Sequence, residues 1–98
     1  MICIKVHMQG TETVVAACDS DIVGKTFRSK DLKIHVSEGF YKGDTGDENM
    51  LVSRLEMATI ANLVGEKTLE IAIKHGFVDP TSVLVIGGVP HAQMARMM

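Results

Sequence analysis

The stretch that decides the fold is the amino-terminal segment Ile2-Cys3-Ile4-Lys5-Val6-His7-Met8, together with the later segment Thr13-Val14-Val15-Ala16-Ala17-Cys18. Apolar residues occupy every second position of the first segment, which is the period of a half-buried β-strand. Turn residues at 9–12 separate the segments, so a β-hairpin is predicted. With Gly10-Thr11 as a two-residue loop, the expected pairs are Ile4 with Ala17, Val6 with Val15, and Cys3 with Cys18.

This register places Cys3 and Cys18, the two cysteines of the chain, directly opposite each other. A disulfide or a two-thiol metal site is one reading, but zinc needs further ligands beyond two thiolates. Two cysteines also cannot make the disulfide framework of a small secreted protein. We therefore favour two packed free thiols, because unpaired cysteine is commonly buried as a small apolar residue. No metal site and no cofactor are predicted.

Downstream of the hairpin the sequence predicts a third strand and two helices. Residues 32–36 alternate between apolar and polar side chains, which indicates the strand. A broad apolar stripe over roughly 47–64 predicts a first helix, preceded by a capping box of Thr45 and Glu48. A second apolar stripe predicts another helix over 66–75.

The carboxy-terminal part contains a buried strand predicted at 82–86. Residues 92–98 are predicted to be a short helix or a frayed tail. The resulting order β-β-β-α-α-β indicates an α+β fold, with an antiparallel or mixed four-stranded sheet and two helices packed on one face. A length of 98 residues predicts one domain over residues 1–98.

Composition excludes some functional classes and weakens others. The net charge of -2 provides no overall positive field that would attract nucleic acid, so any such role needs a local patch. Aromatic residues make up 4% and tryptophan is absent, which disfavours single-strand recognition by base stacking. No signal peptide and no membrane-spanning stretch is recognisable, so a cytoplasmic protein is expected.

One local basic patch does occur in the sequence. Four of the ten basic residues fall within nine positions, with Asp31 as the only acid among them: Lys25, Arg28, Lys30 and Lys33. A cluster of this kind can bind the phosphates of a nucleic acid, and each contact makes the affinity more salt-dependent. The alternative is a solvated surface whose charge is balanced by acids elsewhere in the fold.

A second candidate site follows the last predicted strand, where loops on rigid scaffolds commonly carry function. Its residues are Gly87, Gly88, Pro90, His91 and Gln93. Asn62 and Glu66, near the start of the second helix, are predicted to converge on the same end of the sheet, because helix starts attract anions. His91 is either a structural hydrogen-bonding residue or a ligand-contacting one, and the sequence names no nucleophile or acid to act with it.

Five segments of the chain, in this order, carry a resemblance to a known family. They are Ala16-Ala17-Cys18-Asp19, Val23-Gly24-Lys25-Thr26-Phe27-Arg28, Val36-Ser37-Glu38-Gly39-Phe40-Tyr41, Ala58-Thr59-Ile60-Ala61-Asn62-Leu63-Val64-Gly65-Glu66 and Gly87-Gly88-Val89-Pro90-His91-Ala92-Gln93. Together they resemble domain-of-unknown-function family 424, an archaeal family of small uncharacterised proteins. The resemblance implies an archaeal cytoplasmic protein and an RNA-binding role in the translation apparatus, but no reaction.

The leading hypothesis is therefore a small protein that binds RNA or a ribosomal particle, with the basic cluster on phosphates and the His91–Gln93 segment making specific hydrogen bonds. The alternative is a small-ligand-binding protein or an enzyme, with a pocket centred on His91 and oriented by Asn62, Glu66 and Gln93. A third hypothesis is a structural subunit with an exposed apolar patch of Met94, Met97 and Met98. An enzyme is the less favoured class, and the sequence predicts no oligomeric state.

Overall fold

The amino-terminal hairpin forms with the register that the alternating pattern predicts. The structure is a computed structural model that describes residues 1–96. Strand β1 (Ile2–Gln9) pairs antiparallel with β2 (Glu12–Asp19), and Ile4 faces Ala17 while Cys3 faces Cys18. Gly10 has a φ of 61°, which a glycine adopts without strain in a tight hairpin turn.

The remaining elements follow in chain order. They are β3 (Thr26–Arg28), β4 (Lys33–His35), α1 (Glu38–Tyr41), β5 (Asp44–Gly46), α2 (Glu48–Met57), β6 (Ile60–Val64), α3 (Glu66–Lys74), β7 (Leu84–Ile86) and β8 (Val89–Ala95), with 3-10 turns at Ser20–Ile22 and Pro80–Ser82. Six strands form one sheet in the order β5-β1-β2-β6-β8-β7. Strands β2 and β6 are parallel and every other neighbouring pair is antiparallel. The predicted α+β class with a mixed sheet is confirmed, but the sheet has six strands where four were predicted.

The prediction of one helix over 47–64 is wrong in its second half, because α2 ends at Met57 and β6 follows. A parallel strand that is buried on both faces is apolar almost throughout, and periodicity cannot separate such a run from a buried helix. Thr59 fixes the change of direction. Its N–H donates to the Thr13 carbonyl over 2.9 Å, and its hydroxyl accepts from the Thr13 N–H over 2.9 Å.

The cap of α2 and the end of α3 differ in detail from the prediction, whereas α3 begins at Glu66 as predicted. The cap of α2 is Asp47 rather than Thr45, since the Asp47 carboxylate accepts the Met50 N–H over 3.0 Å. Thr45 instead lies in β5, opposite Cys3 of β1. Helix α3 ends one residue before the predicted boundary at His75, a difference within the usual fraying of helix ends.

The carboxy-terminal prediction of a short helix or frayed tail is also wrong for the described residues. Strand β8 runs to Ala95 and pairs with β6 on one side and β7 on the other. The two-residue loop Gly87-Gly88 joins β7 to β8 with φ values of 58° and 82°, as a hairpin turn with two left-handed residues requires. Met97 and Met98 lie outside the described residues.

The two long helices pack on one face of the sheet, as predicted, and other elements cover part of the opposite face. Helices α2 and α3 pack on one face, here called the helix face, where Leu51, Leu55 and Leu63 are fully buried. Burying a leucine side chain contributes about 2 kcal/mol. The other face, here called the ribbon face, carries a smaller core around Ala16, Cys18 and Val64. No helix within residues 1–96 is long and apolar enough to cross a membrane.

The third predicted strand does not join the main sheet. It becomes β4, which pairs with β3 to form a separate two-stranded hairpin, here called the basic ribbon (residues 25–35). Phe27 and Ile34 are cross-strand partners, and both pack against the smaller core of the ribbon face. The basic ribbon and α1 therefore cover part of the ribbon face and leave the rest of that face open.

Candidate nucleic-acid interface

The basic ribbon has one apolar side and one polar side, because successive residues of a strand point to opposite faces. Phe27 and Ile34 point toward the sheet. Arg28 and Lys33 are directly opposite each other on the outer side, and both are exposed. Lys30 is exposed in the loop between them, and a shallow depression of about 340 Å³ is lined by residues 28–33.

Within residues 1–96 no acid forms an ion pair with the basic residues of the basic ribbon, although Asp31 lies in its loop. In this part of the chain the ion pair is Lys74 with Glu48, whose carboxylate also lies 2.7 Å from His75 Nε2, on the helix side of the molecule. Among the described residues 1–96, neither Arg28 nor Lys33 has an acidic partner within 4.0 Å. Like charges directly opposite each other in an antiparallel pair are unfavourable. The outer side of the basic ribbon is therefore a surface on which a bound anion would relieve an existing repulsion.

The other two residues of this outer side form a polar pair. Thr26 and His35 are cross-strand partners, and the Thr26 hydroxyl lies 2.7 Å from His35 Nδ1. Lys25 stands at the base of the basic ribbon, where its carbonyl accepts the Val36 N–H over 2.9 Å. Its side chain is exposed. All four basic residues singled out in the sequence thus lie on one hairpin.

The turn between β7 and β8 holds the basic ribbon against the sheet. The Gly87 N–H donates to the Ser29 hydroxyl over 2.7 Å. A Cβ atom at Gly87 would lie 2.8 Å from the Arg28 nitrogen and 2.9 Å from the Arg28 oxygen, so only glycine fits without moving the ribbon. Gly88 has open space around it. The structure thus brings the two predicted candidate sites together, through a contact between residues 58 positions apart.

His91 is a half-buried residue of β8, flanked by Val64 of β6 and Leu84 of β7. Burial lowers its pKa, and its Nδ1 atom is buried with no hydrogen-bond partner among residues 1–96. His91 has no acidic residue hydrogen-bonded to it within residues 1–96, so the geometry supplies no oriented general base.

The predicted convergence of Asn62, Glu66, His91 and Gln93 on one pocket is only partly found. Asn62 and Gln93 are cross-strand partners, and Gln93 Nε2 donates to Asn62 Oδ1 over 2.9 Å. Pro90 accepts the N–H of Gly65 over 2.9 Å, which holds the start of α3 beside β8. Glu66 itself is exposed and lines a different groove, of about 370 Å³.

That second groove lies beside the start of α3 and is lined by Met1, Asp19, Ser20, Asp21, Glu66 and Lys67. His91 lines neither this groove nor the depression on the basic ribbon. Neither of these two cavities therefore corresponds to the predicted pocket centred on His91. The hypothesis of a structural subunit predicted an exposed apolar patch that includes Met94. Met94 is only 8% exposed and packs on the helix face, so it does not contribute to such a patch.

Asp19 is a structural residue whose role the sequence did not indicate. Its carboxylate accepts the Lys67 N–H over 3.1 Å, the Thr68 N–H over 2.9 Å and the Thr68 hydroxyl over 2.8 Å. It therefore caps α3 from strand β2. Gly65 allows this approach, because a Cβ atom there would lie 2.5 Å from Asp19 Cγ. A cap supplied from 48 residues away leaves no local sequence signal.

The prediction of two free thiols is confirmed, since Cys3 and Cys18 are both buried and unbonded. Burial raises the pKa of Cys18 to about 12, with a further contribution from the neighbouring Cys3 thiol. Such a thiol is a poor nucleophile and a poor metal ligand at neutral pH. Within residues 1–96 no three His, Cys, Asp or Glu side chains are grouped in a way that could hold a metal ion.

Comparison with known proteins places the chain in a family. The chain matches the model of a family described as "Protein of unknown function (DUF424)" over residues 6–97. Its fold is similar to the crystal structure of an uncharacterized conserved protein from Methanopyrus kandleri, with a TM-score of 0.81 and 25% sequence identity over 99% of this chain and 95% of that one. No curated protein matches. Because the family model covers nearly the whole sequence, the chain belongs to the DUF424 family of proteins of unknown function.

Proposed function

We propose that this protein binds the sugar–phosphate backbone of RNA, as free RNA or within a ribosomal particle, through the outer side of the basic ribbon. The observation that carries the proposal is the directly opposed pair of Arg28 and Lys33, both exposed and without an acidic partner in the described part of the chain, residues 1–96. A cross-strand pair of like charges costs up to about 1 kcal/mol. A phosphate group between the two cations converts that repulsion into two charge-assisted contacts.

The surroundings of this pair support a nucleic-acid partner more than a small anion. Lys30 extends the positive surface past the tip and Lys25 extends it toward the base, so the cations follow the length of the hairpin. The depression at the tip is shallow and open, as suits an extended chain rather than an enclosed ligand. With a net charge of -2, binding depends on this local surface and is sensitive to salt.

The docked position of the basic ribbon supports the proposal as well. The hydrogen bond from Gly87 to Ser29 and the packing of Phe27 and Ile34 hold the hairpin in one orientation. A binding surface that is ordered before the ligand arrives loses less conformational entropy on binding. A role in the translation apparatus, which the family resemblance suggests, belongs to the same proposal.

The test is the affinity for a fluorescein-labelled single-stranded RNA of mixed sequence, measured by anisotropy at several salt concentrations. In the variant Arg28→Gln/Lys33→Gln we expect roughly tenfold weaker binding, and a salt slope smaller by about 1.4 because each phosphate contact on a single strand contributes about 0.7. The charge-matched control is Lys42→Gln/Lys67→Gln, which removes two exposed cations outside the basic ribbon.

The control variant is expected to keep most of the affinity and the wild-type salt slope. Equal losses in the two variants would mean that only net charge matters, which contradicts a site on the basic ribbon. Absence of measurable RNA binding by the wild-type protein at low salt would contradict the proposed function itself.

A further inference from the structure

The outer side of the basic ribbon carries two cross-strand pairs, one after the other along the hairpin. Thr26 is opposite His35, and Arg28 is opposite Lys33. All four side chains are exposed. The two pairs are two residues apart on each strand, which separates them by about 7 Å. This distance is close to the spacing of successive phosphates in an extended single strand of RNA, so a strand that lies along the hairpin meets both pairs.

Both pairs occupy the positions of the hairpin at which opposite side chains come closest. At the tip, the Ser29 N–H donates to the Leu32 carbonyl over 2.8 Å. At the base, the Val36 N–H donates to the Lys25 carbonyl over 2.9 Å. Hydrogen-bonded and non-hydrogen-bonded pairs alternate along an antiparallel ladder, so the two outer pairs between these ends are non-hydrogen-bonded, with Cα atoms about 4.5 Å apart. One phosphate group can therefore contact both members of such a pair.

The ring of His35 is oriented by its cross-strand partner. The Thr26 hydroxyl lies 2.7 Å from His35 Nδ1. A hydroxyl can donate to a bare Nδ1 or accept from a protonated one, so this hydrogen bond is compatible with both the neutral and the charged ring. In both of these states Nε2 carries a hydrogen. Among residues 1–96 the His35 ring makes no other hydrogen bond, so Nε2 is free to donate to a ligand.

The surroundings of His35 contain more cations than acids. The charged side chains of the basic ribbon and of α1, which follows it in the chain, are Lys25, Arg28, Lys30, Asp31, Lys33 and Glu38. The turn Gly87-Gly88, which contacts the basic ribbon from the sheet, carries no charge. In the described part of the chain, residues 1–96, no carboxylate lies within 4.0 Å of the His35 ring. A protonated His35 therefore has no acidic partner within the protein and is available to a phosphate.

We propose that His35, with its ring held by Thr26, binds the RNA phosphate next to the one held by Arg28 and Lys33, and that protonation of the ring strengthens RNA binding. The inference rests on the proposed function, because the basic ribbon must first bind the RNA backbone. A phosphate beside the ring favours its charged form, so proton binding and RNA binding strengthen each other. Histidine side chains ordinarily change charge between about pH 5 and 8, so the RNA affinity rises as the pH falls through that range.

The test measures the affinity for rhodamine-labelled oligouridylate by anisotropy at about pH 7.5 and about pH 5.5, because uracil does not titrate in this range. The wild type is expected to bind about fivefold more tightly at the lower pH, since a charge-assisted hydrogen bond is roughly twice as strong as a neutral one. Its salt slope should also increase by about 0.7, the contribution of one phosphate contact on a single strand. In His35→Gln, which keeps a hydrogen-bonding side chain without the charge, both changes are expected to disappear.

The matched control is His75→Gln, which removes an exposed histidine at the end of α3, on the helix side of the molecule. This variant is expected to keep the pH dependence of the wild type. A second readout is the uptake of protons on binding, measured at about pH 6.5 by calorimetry in two buffers of different ionisation enthalpy. The wild type should take up protons when oligouridylate binds, and His35→Gln should take up fewer.

Wild-type affinity that does not change with pH would overturn the phosphate subsite at His35. A pH dependence or proton uptake that survives in His35→Gln, or that is lost equally in His75→Gln, would overturn it as well. In each of these cases a salt slope that depends on Arg28 and Lys33 would leave backbone binding by the basic ribbon standing. Absence of RNA binding by the wild type at both pH values would remove both proposals.

Discussion

Gly87 is the position at which the geometry of the basic ribbon can be changed without altering any charge. Gly87 and Gly88 both have positive φ, 58° and 82°, so an alanine at either position adopts a left-handed conformation that costs about 1–2 kcal/mol. The two positions differ in their surroundings. A Cβ atom at Gly87 would meet the Arg28 backbone at 2.8 Å, whereas one at Gly88 would have no neighbour within 4 Å.

Gly88→Ala is therefore expected to lose only the conformational cost, and Gly87→Ala is expected to lose more. The additional loss is about 1–3 kcal/mol, since the basic ribbon must move away and the hydrogen bond from Gly87 to Ser29 is strained or broken. Urea unfolding followed by circular dichroism measures the two losses. RNA anisotropy measures the consequence for binding, which we expect to weaken in Gly87→Ala and to stay near wild type in Gly88→Ala.

Equal stability and equal RNA affinity in the two alanine variants would refute the reasoning. That result would mean that the contact between the β7–β8 turn and Arg28 does not position the basic ribbon. Weaker RNA binding in both variants would show that the turn acts through its own conformation rather than through the ribbon.

Two further predictions concern stability. Asp19→Ala is expected to lower the free energy of unfolding by about 2 kcal/mol, because it uncaps α3 and leaves the buried Thr68 hydroxyl without an acceptor. Asp79→Ala, which removes an exposed cap, should lose less in the same urea titration. Burial raises the pKa of Cys18 from 9.0, and that of Tyr41 from 10.0, to about 12. Unfolding therefore releases protons between about pH 9 and 12, and stability should fall as the pH rises through that range. Tyr41→Phe should flatten the decline above about pH 10, and a urea midpoint that stays constant up to about pH 11 would contradict this reading.

The sequence predicts well what short-range geometry decides. The register of β1 and β2 follows from a two-residue loop and an alternating pattern, so it can be read from residues 2–18 alone. The sequence pattern predicts a helix where β6 lies, because a buried parallel strand has no alternation of apolar and polar residues. Its pairing with β2 depends on residues 46 positions apart, such as Val14 and Ile60, which no local pattern shows.

The candidate site was predictable in its residues and not in its arrangement. The clustering of Lys25, Arg28, Lys30 and Lys33 is visible in the sequence. The opposition of Arg28 and Lys33 depends on the pairing of Phe27 with Ile34, which in turn depends on the core beneath them. The hydrogen bond from Gly87 to Ser29 joins segments that are far apart in the chain. The contact between the two candidate sites could therefore not be predicted from the sequence and is seen only in the structure.

The most direct test of RNA binding by the basic ribbon is a map of backbone amide chemical shifts of the ¹⁵N-labelled protein during titration with single-stranded RNA. We expect the shifts to be confined to residues 25–35 of the basic ribbon and to the segment from Gly87 to Gln93, and to diminish at higher salt. The amides of α2 and α3 on the helix face should stay unchanged. Shifts that concentrate on those helices, or that spread evenly over the protein, would contradict a binding surface on the basic ribbon.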